Sequence, residues 1–147
     1  PVVLSDVCWN CMLSFEPVAF EAGRPLQYDI QNGLSMTGDC QQLDQLVDIL
    51  LDNASKYASA DSTVRVILRR QGSHCLLSVA SAGDAISKED LKNIFKRFYR
   101  MDKARSMNHS YGLGLSIADS IVSKHSGKTW AESADGVNTF FVQLPAA

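Results

Sequence analysis

The chain lacks any run of apolar residues approaching the roughly 20 that a membrane-spanning helix needs. No secretory signal pattern opens it. It also lacks an excess of either charge: 14 Lys and Arg stand against 16 Asp and Glu, for a formal net charge of -2. That balance gives no electrostatic footing for a nucleic acid or a membrane surface. Internal repeats and low-complexity segments are missing too. The cysteines Cys8, Cys11, Cys40 and Cys75 include one Cys-x-x-Cys pair, but His74, His109 and His125 lie far from it. A closed zinc site needs two further ligands at similar spacing. Cys8 and Cys11 therefore read as one helical turn partly facing the core, in a reducing, cytosolic setting.

What is present fits an ordinary globule. With 147 residues, 46% hydrophobic and 20% charged, the chain has the size and apolar content for a single domain over 1–147 with a sizeable core. Pro1 points to a piece of a longer chain. Val2 to Leu4 reads as a short strand, with Ser5 as the cap of a helix whose apolar face is Cys8, Cys11, Met12, Phe15 and Ala19. Pro17 is expected to bend or shorten that helix. Leu26 to Gln31 and Leu34 to Thr37 flank Asn32-Gly33, a hairpin signal. Asp39 and Gln42 open a long helix with the stripe Leu43, Leu46, Val47, Leu50, Ala54 and Tyr57. Val64 to Arg69 and Cys75 to Ala80 alternate as strands about Gln71-Gly72-Ser73. Ser87 and Asp90 begin a short helix carrying Leu91, Ile94 and Phe95. Met101 to Ser110 has no period and predicts a mobile lid over a ligand. Leu113, Ile117, Ile121 and His125 mark a last helix ending at Gly127. Two strands joined through Ala134-Asp135-Gly136 close the chain.

Four segments stand out by order and spacing: Leu50 to Tyr57, Ser81 to Ile86, Ile94 to Arg100 and Gly112 to Ile117. Together they resemble the N box, first glycine box, F box and second glycine box of sensor histidine kinases, in the GHKL group with gyrase and the mismatch-repair ATPases. The resemblance covers Val2 to Pro145. It implies a two-layer α/β sandwich, a mixed sheet of about five strands on about three helices. It also implies ATP and Mg2+ as ligands.

By that resemblance Asn53 is the magnesium ligand, and a neutral amide oxygen suits a hard cation shared with phosphates. Lys56 lies one turn on and reaches for a phosphate, and Tyr57 packs beside the nucleotide. Ser81, Gly83, Ala85 and Ile86 occupy the base-binding segment. Phe98 anchors the lid, while Arg100 and Arg105 approach the phosphates and neutralise charge as the γ-phosphoryl moves. Gly112, Leu113, Gly114 and Leu115 open a helix whose N–H groups and dipole favour an anion. Thr139 and Phe140 match a closing Thr-Phe of strand character near the site.

The departures matter as much. The family pattern Asp-x-Gly-x-Gly-Ile reads Ser81, Gly83, Ala85 and Ile86 here. A neutral hydroxyl replaces the carboxylate that accepts the adenine amino group, which predicts weaker affinity and looser base selectivity. Ile49, Ser110 and Tyr111 also stand where the family has Asn, Gly and a small residue. No histidine carries the phosphoacceptor pattern, so the acceptor is expected on a separate dimerising hairpin. The expected partners are that dimerisation domain and a response regulator, with no nucleic acid and no direct membrane contact. The parent protein is expected to be a dimeric, membrane-anchored sensor with this portion in the cytoplasm. Two alternatives stay open: a degenerate GHKL interaction module with weak or no ATP binding, and another GHKL kinase or ATPase.

Overall fold

The computed structural model describes residues 1–99 and 114–147. Their order is β1 (Val2–Val3), α1 (Leu4–Glu21), β2 (Leu26–Ile30), β3 (Ser35–Met36), α2 (Cys40–Tyr57), β4 (Val64–Gln71), β5 (His74–Ala82), α3 (Lys88–Asn93), α4 (Gly114–Lys124), β6 (Lys128–Ala134) and β7 (Val137–Pro145). Five strands form a mixed sheet in the order β2-β4-β5-β7-β6, and β1 with β3 makes a separate two-stranded ribbon. β2 and β4 are parallel, because the chain between them crosses over through α2; the remaining pairs are antiparallel. The expected two-layer sandwich with a mixed five-stranded sheet is borne out. None of the described helices is long and apolar enough to cross a membrane.

α2 starts where its sequence says it should. Asp39 is the N-cap, and its carboxylate accepts the Gln42 N–H at 3.0 Å. Leu43, Leu46, Val47, Leu50, Leu51 and Ala54 are fully buried. Each large apolar side chain so placed contributes roughly 1.5–3 kcal/mol. They meet the inward sheet face, Val64, Val66, Leu68, Leu77, Val79, Phe140 and Val142, in one core that also takes in α1 and α4. Every second strand residue contributes because the side-chain period of a strand is two.

Two local expectations were redirected by long-range partners. Asn32-Gly33 does turn, with Gly33 at φ 74°, yet it joins no hairpin: β2 takes β4 as its neighbour and β3 takes β1. Ser5 is not a cap. Val3 holds that position, and the buried Ser5 hydroxyl donates to Gln31 O at 2.5 Å and accepts the Leu34 N–H at 3.0 Å, tying that turn to α1. Pro17 leaves α1 continuous to Glu21.

At the end of α4 the left-handed residue is Ser126, at φ 59°. Its N–H donates to Ser123 O and that of Gly127 to Val122 O, a Schellman arrangement. Gly127 is required one position later for another reason: a Cβ there would collide with the Gln143 carbonyl. Ile117, expected in the apolar stripe, is 39% exposed, and Leu115, Ala118, Ile121 and Val122 are the inward set. Cys8 and Cys11 lie on the inner face of α1 and Cys75 beneath them, with only Cys40 exposed. Burial pushes the Cys8 thiol up to about 12, with neighbouring Cys75 adding to the shift. Cys11 is raised as well, by burial first and then by Asp48 and Asp44.

Candidate functional site

The last turns of α2 meet the start of α4, the end of β5 and the beginning of β7. Asn53 sits at the centre. It is 7% exposed, and its Nδ2 donates to Ile49 O at 2.9 Å, one turn back. That bond fixes which way the amide points. Among the described residues Oδ1 has no hydrogen-bond partner. Gly114, the first residue of α4, lies against this amide: a Cβ there would stand 3.4 Å from Asn53 Nδ2 and 3.7 Å from Ile49 Cγ2. Leu115 turns inward to the core.

Lys56 is exposed and pairs with Asp52 on its own helix, Nζ to Oδ2 3.1 Å. Such an i,i+4 surface pair holds the ammonium only weakly. Tyr57 is half-buried with its ring 6.4 Å from that of Phe140.

The sheet side is bound up in its own hydrogen bonds. Ser81 is buried and its hydroxyl donates to Ala54 O at 3.0 Å, pinning β5 to α2. Gly83 follows, and its N–H donates to Gly136 O at 3.0 Å. Here the missing side chain is required by the protein itself: a Cβ would run into the Tyr57 carbonyl oxygen. Asp84 and Ala85 are exposed and Ile86 is buried. The loop from Gly83 to Ile86 is held by Asn138, whose Nδ2 donates to Asp84 O at 2.8 Å while its Oδ1 accepts the Ser133 hydroxyl at 2.6 Å. Ser133 Oγ in turn accepts the Ile86 N–H at 2.9 Å.

Asn138 and Ser133 were missed by sequence reasoning. A signal was available: with Phe140 and Val142 facing inward, alternation puts Asn138 inward and Thr139 on the opposite face. Thr139 is paired with Ala80 and Glu132, away from Ser81, which stands opposite Asn138. Phe98 is 63% exposed at φ 65°, with the Arg97 guanidinium 5.3 Å from its ring centroid. Arg100, Arg105, Gly112 and Leu113, and the lid expected over Met101 to Ser110, lie outside the described residues.

Asn53, Gly114, Tyr57, Ser81 and Gly83 are thus brought together at one end of α2. A model of the family described as histidine kinase-, DNA gyrase B-, and HSP90-like ATPase matches residues 38–147. The chain belongs to that family, and ATP binding goes with membership. Sensor protein DltS of Streptococcus agalactiae is 32% identical over 142 residues, 97% of this chain and 36% of the relative. Sensor protein VanS of Enterococcus faecium is 34% identical over 133 residues, 90% of this chain and 34% of the relative. The chain therefore spans about a third of the length of these curated relatives. Among solved structures, the mycobacterial sensor histidine kinase MprB superposes with a TM-score of 0.84 at 24% identity, covering 99% of this chain and 95% of that one. The nucleotide-free catalytic domain of histidine kinase ThkA gives 0.83 at 21% identity, covering 98% and 93%. At those identities the likeness is one of fold. The resemblance to the sensor-kinase branch of GHKL proteins is borne out.

Proposed function

We propose that this chain is the ATP-binding catalytic domain of a two-component sensor histidine kinase. It binds Mg-ATP between α2 and the start of α4. It then presents the γ-phosphoryl group to a histidine on a separate dimerisation domain, for relay to an aspartate of a response regulator. The bond that breaks joins the γ-phosphorus to the β,γ-bridging oxygen, the bond that forms joins it to an imidazole nitrogen, and ADP leaves.

One observation carries this reading. Asn53 Nδ2 is committed to Ile49 O, which leaves Oδ1 as a neutral, hard oxygen beside the first turn of α4. Magnesium takes such oxygens, usually one or two from protein alongside water and phosphate, and when bound it would neutralise charge on the phosphates. The backbone N–H groups opening α4 suit the same anion, and the glycine at 114 keeps a side chain out of the way. Lys56, Arg100 and Arg105 are the cations proposed to reach the phosphates. Gly112 and Leu113 would extend the anion-facing turn, and Phe98 would support the segment before it.

At the base end, Tyr57, Gly83, Ala85 and Ile86 would frame the ring. Ser81 gives its proton to Ala54 O, so its lone pairs are what it can offer an amino group. A neutral acceptor costs roughly 1 kcal/mol or more against a charged one. Thr139 keeps a strand role. Histidine kinase ThkA has been solved in complex with response regulator protein TrrA, and that structure superposes on this chain with a TM-score of 0.81 at 19% identity. The proposed response-regulator partner follows that analogy; the cytoplasmic part of a membrane-anchored dimeric sensor is the setting we propose for it.

Calorimetric titration with ATP, with and without Mg2+, tests the reading. The wild type is expected to bind more tightly with the metal. Asn53→Ala should lose that metal-dependent gain, roughly tenfold or about 1.4 kcal/mol, while metal-free binding stays the same. Equal magnesium dependence in the variant removes Asn53 from the metal site. No binding at millimolar nucleotide moves the chain to a non-catalytic interaction module, the alternative that Ser81 and Ala85 favour.

A further inference from the structure

α2 and α4 run antiparallel, and the two ends of their pairing are held by different means. One end is the contact of Gly114 with Asn53 and Ile49. The other lies at His125, one residue past α4. Its Nδ1 meets Ile121 O at 2.7 Å, and its Nε2 meets the Asp39 backbone N–H at 3.1 Å. A carbonyl only accepts and a backbone N–H only donates, so these partners select the neutral ring with its proton on Nδ1. Asp39 is also the N-cap of α2. The ring therefore grips the residue that starts α2 while bonded to the helix that ends beside it.

Two further features fit this contact. A Cβ at Gly38 would lie 2.6 Å from His125 Cδ2 and 2.8 Å from Nε2, so glycine lets the backbone lie against the ring. The Schellman turn through Ser126 and Gly127 fixes the chain on the far side of His125.

We infer that His125 is a positioning residue for the nucleotide site: it sets the axial register of α4 on α2, and so where the Gly114 backbone stands relative to Asn53. The inference rests on the nucleotide-binding reading above. The inward face of α4 is Leu115, Ala118, Ile121 and Val122. Burial of apolar surface is non-directional, so it specifies the register less sharply than a hydrogen bond of fixed geometry does. A helix is stiff along its axis, so an 11-residue element carries a shift at one end across its whole length of roughly 16 Å. A slip of one residue is about 1.5 Å. Misplacements of about 1 Å can cost about a hundredfold at a site built on positioning.

The test compares wild type, His125→Ala and His125→Gln, first without ligand by amide NMR and then with ATP and Mg2+ by calorimetry. His125→Ala is expected to fold, to shift the Gly114 backbone and Asn53 side-chain amide signals at the far end, and to weaken Mg-ATP roughly five- to tenfold. His125→Gln places an acceptor near the Nε2 position and is expected to recover most of the loss, which general destabilisation would not predict. Gly38→Ala drives the ring off Asp39 with His125 still present; it should reproduce the loss and carries the test should His125→Ala not fold. Unmoved signals with native affinity in either variant overturn the inference alone. A wild type that binds no nucleotide overturns this inference and the reading beneath it.

Discussion

The candidate site has a proposed base end and a proposed phosphate end, and the two are built on opposite terms. At the base end the polar side chains are bonded to the protein: Ser81 to Ala54 O, Asn138 to Asp84 O and Ser133, and Ser133 to the Ile86 N–H. At the phosphate end Asn53 keeps an oxygen that no described residue uses. Two departures from the family pattern, Ser81 and Ala85, fall at the end that is already satisfied, while a third, Ile49, lies beside Gly114 at the other. A polar group held by its own protein gains little from a ligand, whereas one awaiting a partner gains more. Affinity should therefore come mainly from the phosphates and metal, and base selectivity should be modest.

That contrast can be broken at several points. The largest effect is expected from Gly83→Ala. The new Cβ meets backbone at Tyr57 rather than a side chain that can move away, so unfolding stability should fall by about 3 kcal/mol in a urea melt. A change within the error of the melt would mean that the loop and the end of α2 are not locked together. Asn138→Ala strips the donor from Asp84 O and the acceptor from Ser133, for a loss of roughly 2 kcal/mol. It should also loosen the Gly83–Ile86 loop in hydrogen exchange while leaving the magnesium dependence of ATP binding intact. Changed magnesium dependence would show that the two ends are not separable.

Ser81→Asp sharpens the comparison from the other side. A carboxylate there loses the bond to Ala54 O and, buried without a partner, should cost about 2 kcal/mol or more in the free protein, yet raise the preference for ATP over GTP roughly fivefold. Unaltered selectivity would take position 81 out of the base site. The smallest effect concerns the thiols. Only Cys40 should react with a thiol reagent in the folded protein, and Cys40→Ser should abolish that labelling at a stability cost within about 0.5 kcal/mol. Cys8 stays a thiol because its value rises from 9.0 to about 12. Its contribution to stability is therefore intact below pH 9 and is lost as pH climbs toward 12.

Much of this was legible in the chain. The Asp39 cap, the stripe of α2, the Ser87 cap with its bond from the Asp90 N–H and the Asp135-Gly136 hairpin are all set by neighbours within a few residues. What failed depended on distant partners. Ser5 looked like a cap until the turn 26 residues on claimed its hydroxyl. Asn32-Gly33 looked like a hairpin because no local signal says that β2 prefers β4. Thr139 came from a motif, and strand alternation, which turns Asn138 inward, went unread. Two of the four boxes, Leu50 to Tyr57 and Ser81 to Ile86, lie on elements whose local patterns were strong; the layer behind them, Asn138 and Ser133, had no motif to announce it.

The tip between β6 and β7 illustrates how far such hidden ties reach. Asp135 and Gly136 carry φ values of 54° and 77°, the pair expected of a two-residue type I′ connection. Surface tips of this kind ordinarily tolerate a grafted peptide or a fluorescent reporter. This one does not qualify, since the Gly136 oxygen receives the Gly83 amide. An insertion there would be felt in the Gly83–Ile86 loop, the segment proposed to frame the base, and a screen of tagged variants would record it as lost ligand discrimination in a protein that still folds.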